Sequence, residues 1–218
     1  MKKKIDYENI TPKEMFETQK AKTKPNDTAV RIALMLLLPY VIWLSKYSAE
    51  YVKSTQGKLI HLNFDGVMLS FHQLISNANM IVHEAGHGVC YIVHCPQMIT
   101  VLNGTLFQLA LPLIFTYWYH KRKNKILSGL GMIWLAQNLI YVSWYMSYSQ
   151  TPNLYPFFLG GDNTIHDFWY IFSELGVLEY STFISGVVRF FANILLYGAY
   201  FYLLFISFIQ KEHNATQA

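Results

Sequence analysis

The sequence predicts an all-α protein, an integral membrane helical bundle of about five transmembrane or re-entrant segments. Three observations carry that prediction. Charged residues make up only 14% of the 218 residues while hydrophobic ones reach 53%, against about 25% charged in a typical soluble domain. A chain so poor in charge cannot clothe a globule of its size with solvated groups, so lipid covers part of it. Five apolar stretches follow one another, at about 29–44, 66–93, 100–119, 126–148 and 185–209. Aromatic residues, among them Trp43, Tyr47, Tyr51, Trp118, Tyr119, Trp144, Tyr148 and Tyr155, fall near the edges of these stretches, where an interfacial belt places them. A disordered tail, a collagen-like fibre and a solvent-rich surface protein are excluded on the same grounds, and an ordinary soluble enzyme is disfavoured.

Three regions follow in order. Residues 1–28 form a polar, basic N-terminal arm, residues 29–210 the membrane-embedded domain, and residues 211–218 a short polar tail. No cleavable signal peptide is visible, because the first apolar run begins only near Ala29 and no small-residue cleavage site follows it. That first run is near the lower length limit for crossing ~30 Å of hydrocarbon. Seven of the 17 basic residues lie in the first 24 positions, and four more (Lys121, Arg122, Lys123, Lys125) form one short run. Beside apolar segments such clusters suit anionic head groups, so membrane lipids are expected partners. No soluble module accompanies them, so nucleic acid is not. If all five stretches cross, the basic residues divide seven against eight and fix no orientation. The stretch 100–119, with its Asn103-Gly104 turn signal and Pro112, is the one expected to re-enter if any does. Two cysteines, Cys90 and Cys95, are too few for a disulfide framework, and Cys90 reads as packing.

The second stretch carries the chemistry. It contains His83-Glu84-Ala85-Gly86-His87, the pattern H-E-x-x-H. Residues four apart share a helix face, so both imidazoles can grip one Zn²⁺ at ~2.0–2.1 Å. Glu84, about 100° round the helix, stands beside the metal, where a carboxylate can move a proton between water and a leaving amine. Ionisable groups deep in an apolar span are expensive and mark function. The motif sits on a longer stripe: His72, Ser76, Asn79, His83, His87, Cys90 and His94 are spaced 4, 3, 4, 4, 3 and 4, one continuous helical face. His72 and His94 are too far along it to join the same metal. Gly86 and Gly88 allow close approach of another helix or a substrate. The fourth stretch has a weaker stripe through Trp134, Asn138, Tyr141, Tyr145 and Tyr148. Its amides Gln137 and Asn138, like Gln108 in the third stretch, either hold neighbouring helices or grip a substrate backbone.

A catalytic zinc takes three protein ligands and leaves one position open. The connection 149–184 is the rich source for the third. It offers His166 first, as a neutral imidazole, then Asp167, then Asp162, each aspartate doubling as a possible helix cap.

A multi-span chain with His-Glu-Ala-Gly-His in a membrane helix resembles the membrane-embedded zinc metallopeptidases of the site-2 protease type. The resemblance implies a membrane-buried metal, membrane-associated polypeptide substrates, and a later N-x-x-P-x-x-x-x-D-G motif whose aspartate is the third ligand. The chain offers Asn153-Leu154-Tyr155-Pro156 and then Gly160-Gly161-Asp162, with the aspartate one residue late and after the glycines. Asn153 and Asn138 are then the expected substrate contacts. The resemblance covers residues 66–98 and, more weakly, 153–169; no inserted peptide-binding domain is present. The expected function is a zinc metallohydrolase, a peptidase of a bacterial inner membrane. The competing class is a non-catalytic metal or proton carrier, or a scaffold, that uses the polar helix face. A di-iron desaturase does not fit, because among the eight histidines only His83 and His87 form an i, i+4 pair.

Overall fold

The computed structural model describes residues 27–46, 64–154 and 165–215. Among them stand six α-helices: α1 (Asp27–Lys46), α2 (Phe64–Val93), α3 (Gln97–Lys121), α4 (Lys125–Ser147), α5 (Asp167–Glu174) and α6 (Ser181–Ala215). Short 3-10 turns occur at Pro152–Leu154 and Leu178–Tyr180. The all-α prediction holds. Four helices, α1, α3, α4 and α6, are long and apolar enough to cross a membrane. The second stretch, α2, falls short of that mark because its histidine, asparagine, glutamine, serine and glutamate side chains dilute its apolar residues. Helix α6 runs on to Ala215, through the start of the expected polar tail. Most of the basic arm, and the connection that holds Tyr47 and Tyr51, lie outside the described residues.

The third stretch does not turn back. It is one 25-residue helix through Asn103-Gly104 and Pro112. Asn103 is used between helices, not in a turn: its Nδ2 donates to the Gly86 carbonyl of α2 at 2.7 Å. Gly86 and Gly104 let the two backbones meet, since a Cβ at Gly86 would come within 2.5 Å of the Asn103 oxygen. Gly88 faces open space and has no such part. Pro112 removes one backbone donor, and the Thr116 hydroxyl donates to its carbonyl at 2.7 Å.

Hydrogen bonds fix the directions of the helices. Helices α1 and α6 run antiparallel: Arg31 donates to the Ser207 carbonyl (2.7 Å), Tyr200 to that of Leu34 (3.1 Å), and Arg189 to that of Ser45 (3.1 Å). Helices α3 and α4 are antiparallel too, tied by Ser128 to the Thr116 carbonyl (3.3 Å) and by Gln108 to Asn138 (3.0 Å). Beyond the end of α4, Gln150 Nε2 donates to the Leu178 and Glu179 carbonyls and the Ser181 hydroxyl, at 3.0–3.1 Å, while Gly129 at its start abuts Leu203. One end of the bundle therefore gathers the starts of α1 and α4, the end of α3 and the later part of α6. The other gathers the ends of α1, α2 and α4 and the starts of α3 and α6.

The core lies between α4, α6 and α1. Val41, Leu44, Ala136, Ile140, Ala192, Leu196 and Ala199 are fully buried there. Trp43, Trp144 and Tyr148 are buried as well, so they pack the core instead of joining an interfacial belt; the helix faces that carry them point inward. Trp118 is half exposed near the end of α3, with the Arg122 guanidinium 4.4 Å above its ring. Outward faces of α3 and α6 carry Leu106, Leu113, Ile114, Phe190, Phe201 and Phe205, each at least half exposed. Apolar side chains turned outward along membrane-length helices match a lipid surround.

Candidate metal centre

The polar stripe of α2 is its buried face. His72, Ser76, Asn79, His83 and Cys90 all point inward, with Gly86 among them. Further from the motif, His72 is surrounded by Ser76 Oγ (3.2 Å), Gln137 Nε2 (3.4 Å) and the Tyr40 hydroxyl (3.5 Å), and Asn79 accepts from the Trp134 indole at 3.1 Å. These contacts give Gln137 and His72 structural roles. His94 takes a left-handed conformation, φ 58°, where α2 ends.

Around the motif the donors converge. His83 Nε2 and His87 Nε2 are 3.1 Å apart. Asp167 Oδ2 lies 2.8 Å from the first and 3.3 Å from the second. These three residues form a group that could hold a metal ion. Two donors at ~2.1 Å from one tetrahedral ion stand about 3.4 Å apart, so the trio needs to open by only a few tenths of an ångström to take one.

The outer hydrogen bonds settle which way the rings are protonated. His87 Nδ1 is 2.8 Å from the Thr100 carbonyl, which only accepts, so Nδ1 carries the proton. Gln108 Nε2 donates to Asn138 Oδ1 at 3.0 Å, which turns Gln108 Oε1 toward His83 Nδ1, 3.2 Å away. That nitrogen also carries its proton. Both Nε2 atoms then face Asp167, free to share a proton with its carboxylate or to bind a metal. One proton can bridge only two of these three atoms, whereas a metal ion meets all three. Fixed Nδ1–H partners of this kind orient ligand histidines and raise their basicity.

Asp167 reaches the site from the first turn of α5. His166 caps that helix, its ring nitrogen accepting from the Trp169 N–H at 3.2 Å. Burial pushes the His166 pKa down to about 4, which keeps the ring a neutral acceptor. The Asp167 N–H donates to the Tyr145 hydroxyl at 3.1 Å, and Phe168, Ile171 and Phe172 bury the helix against the core. The residue ranked first for the third ligand is thus the cap, and its neighbour Asp167 faces the imidazoles. Asp162 lies outside the described residues. Glu84 is exposed, next in sequence to the buried His83.

Asn138, expected to touch substrate, is fully buried. It accepts from Gln108 and donates to the Trp134 carbonyl at 3.0 Å, so it ends the chain of amides behind His83. Asn153 is exposed in the 3-10 turn and is not part of the converging group. Gly104, Thr100 and Tyr145 belong to the site without having been legible as site residues. Gln108 was legible as a buried amide, with its partner unassigned.

Replacing Gln108 with leucine removes the acceptor behind His83 while keeping the volume apolar. Metal affinity is expected to fall about 10- to 100-fold, read by competition against a chelating dye, with helicity unchanged.

No protein-family model, curated protein or solved structure matches the chain.

Proposed function

We propose that the chain is a membrane-embedded zinc metallohydrolase, a peptidase acting on membrane-associated polypeptides, and that it resides in a bacterial inner membrane. The observation that carries the reading is the convergence of His83, His87 and Asp167 beside an exposed Glu84. Two nitrogens and one carboxylate oxygen are a donor set that suits zinc and leave a fourth position open. Zinc held there supplies Lewis acidity toward water and a scissile carbonyl. His83 and His87 keep their lone pairs aimed inward because Gln108 and Thr100 hold their other nitrogens. Glu84 takes the proton of the attacking water and returns it to the leaving amine. Apolar outer faces on membrane-length helices support a membrane-associated polypeptide as the substrate.

Metal removal tests the reading. Cleavage of a membrane-anchored reporter polypeptide by the detergent-purified protein is expected to stop on treatment with phenanthroline and to return with added zinc. Cleavage that persists after the metal has been stripped would refute it.

A further inference from the structure

Cys90 and Cys95, too few for a disulfide framework and the first of them read as packing, are paired in a disulfide, with their Cα atoms 5.0 Å apart. The bridge spans the short turn between α2 and α3, one helical turn beyond His87. Around it the hydrogen bonds lead back to the metal centre. Cys95 N–H donates to the Cys90 carbonyl at 2.9 Å. The Thr100 hydroxyl donates to the Cys95 carbonyl at 3.4 Å and to that of Pro96 at 3.2 Å. The Thr100 carbonyl then accepts from His87 Nδ1 at 2.8 Å. The bridge is therefore linked, through Thr100 on α3, to the His87 ring on α2.

The same bridge marks a side of the membrane. Disulfides persist in oxidising compartments. At the other end of α3 lies the basic run Lys121, Arg122, Lys123 and Lys125, the charge signature of a cytoplasmic face. The start of α1, which follows the lysine-rich first 24 residues, lies at that basic end. Two independent features thus assign opposite faces to opposite ends of one helix, and they agree.

We propose that the Cys90–Cys95 bridge is a positioning device for the metal centre: it closes on the oxidising side of the membrane and fixes the Thr100 carbonyl that orients His87. The inference rests on reading His83, His87 and Asp167 as a metal site. Closing the bridge joins the two Sγ atoms and releases two protons and two electrons. The electrons reduce a disulfide of an exchange partner in that compartment to two thiols.

Three readouts on the full chain test it. In detergent, the Cys90→Ser/Cys95→Ser variant is compared with wild type for zinc affinity and, without metal, for the ¹⁵N imidazole spectrum. Zinc should bind about 10-fold or more weakly in the variant, and His87 should lose its fixed Nδ1–H tautomer while His83 keeps its own. Equal affinity with an unchanged His87 spectrum overturns the proposal. If wild type takes up no zinc, the metal reading fails, and the His87 spectrum alone decides whether the bridge positions that ring. Reduction of the wild-type chain by a phosphine repeats the spectral comparison without any substitution. In sealed vesicles with the cytoplasmic face inside, an impermeant phosphine followed by an impermeant maleimide should label Cys90 and Cys95 from outside. Labelling only after the vesicles are opened overturns the assignment of sides.

Discussion

Glu84→Gln is expected to lower peptide cleavage by about 100-fold or more while leaving zinc content unchanged. General acid–base catalysis contributes about 10² to 10⁴ in rate, and the substitution removes the carboxylate assigned to carry the proton. Glutamine keeps the shape and the hydrogen-bonding of the side chain but cannot take a proton. Glu84 is exposed where His83 is buried, so the fold does not depend on its charge. The measurement is the turnover of a membrane-anchored reporter by wild type and variant matched for zinc. Full activity in a zinc-loaded variant would remove Glu84 from the chemistry, whereas loss of zinc in the variant would make it a ligand.

The second large effect concerns a residue with no side chain. A Cβ built on Gly104 would lie 2.5 Å from His87 Nε2 and 2.8 Å from His83 Nε2. A bound ion would sit ~2.0–2.1 Å from the same two nitrogens, so the methyl of Gly104→Ala competes with it for one place. Zinc uptake is expected to fall to background. The fold should suffer only an overpacking penalty of about 1–3 kcal/mol, because the atoms met are the ends of two side chains. Metal content and thermal unfolding of the same preparation separate these effects. A folded Gly104→Ala protein with normal zinc would show that the ion, if present, is not between these rings.

Periodicity made the helices legible. The spacing of His72 through Cys90 predicted one inward face, and that face is buried. Local signals misled where a residue's partner lies on another helix. Asn103-Gly104 reads as a turn in isolation, yet its small size and amide serve contact with Gly86 and the two histidines. Trp144 and Tyr148 stand at the edge of an apolar stretch, but the face that carries them packs inward. His166 and Asp167 are adjacent in sequence and both suit zinc. What separates them is the start of α5: the cap position turns His166 toward the Trp169 N–H, and the next position presents Asp167 to α2. The seven-against-eight division of basic residues assumed five crossings. With α1 and α4 parallel, and α3 and α6 opposed to both, the basic run and the start of α1 fall at one end.

The Cys90–Cys95 pair escaped the sequence for a related reason. A pair this close along the chain says nothing about redox state until the turn is known to fold the two residues together. The left-handed His94 supplies that turn.

Zinc content per purified chain, measured on wild type, Asp167→Ala and His166→Ala, tests the trio most directly. A single ion per chain is expected in wild type, close to none in Asp167→Ala, and near-normal content in His166→Ala, which loses a helix cap worth about 1 kcal/mol. Equal zinc in wild type and Asp167→Ala, or loss confined to His166→Ala, would contradict the assignment of His83, His87 and Asp167 as the metal ligands.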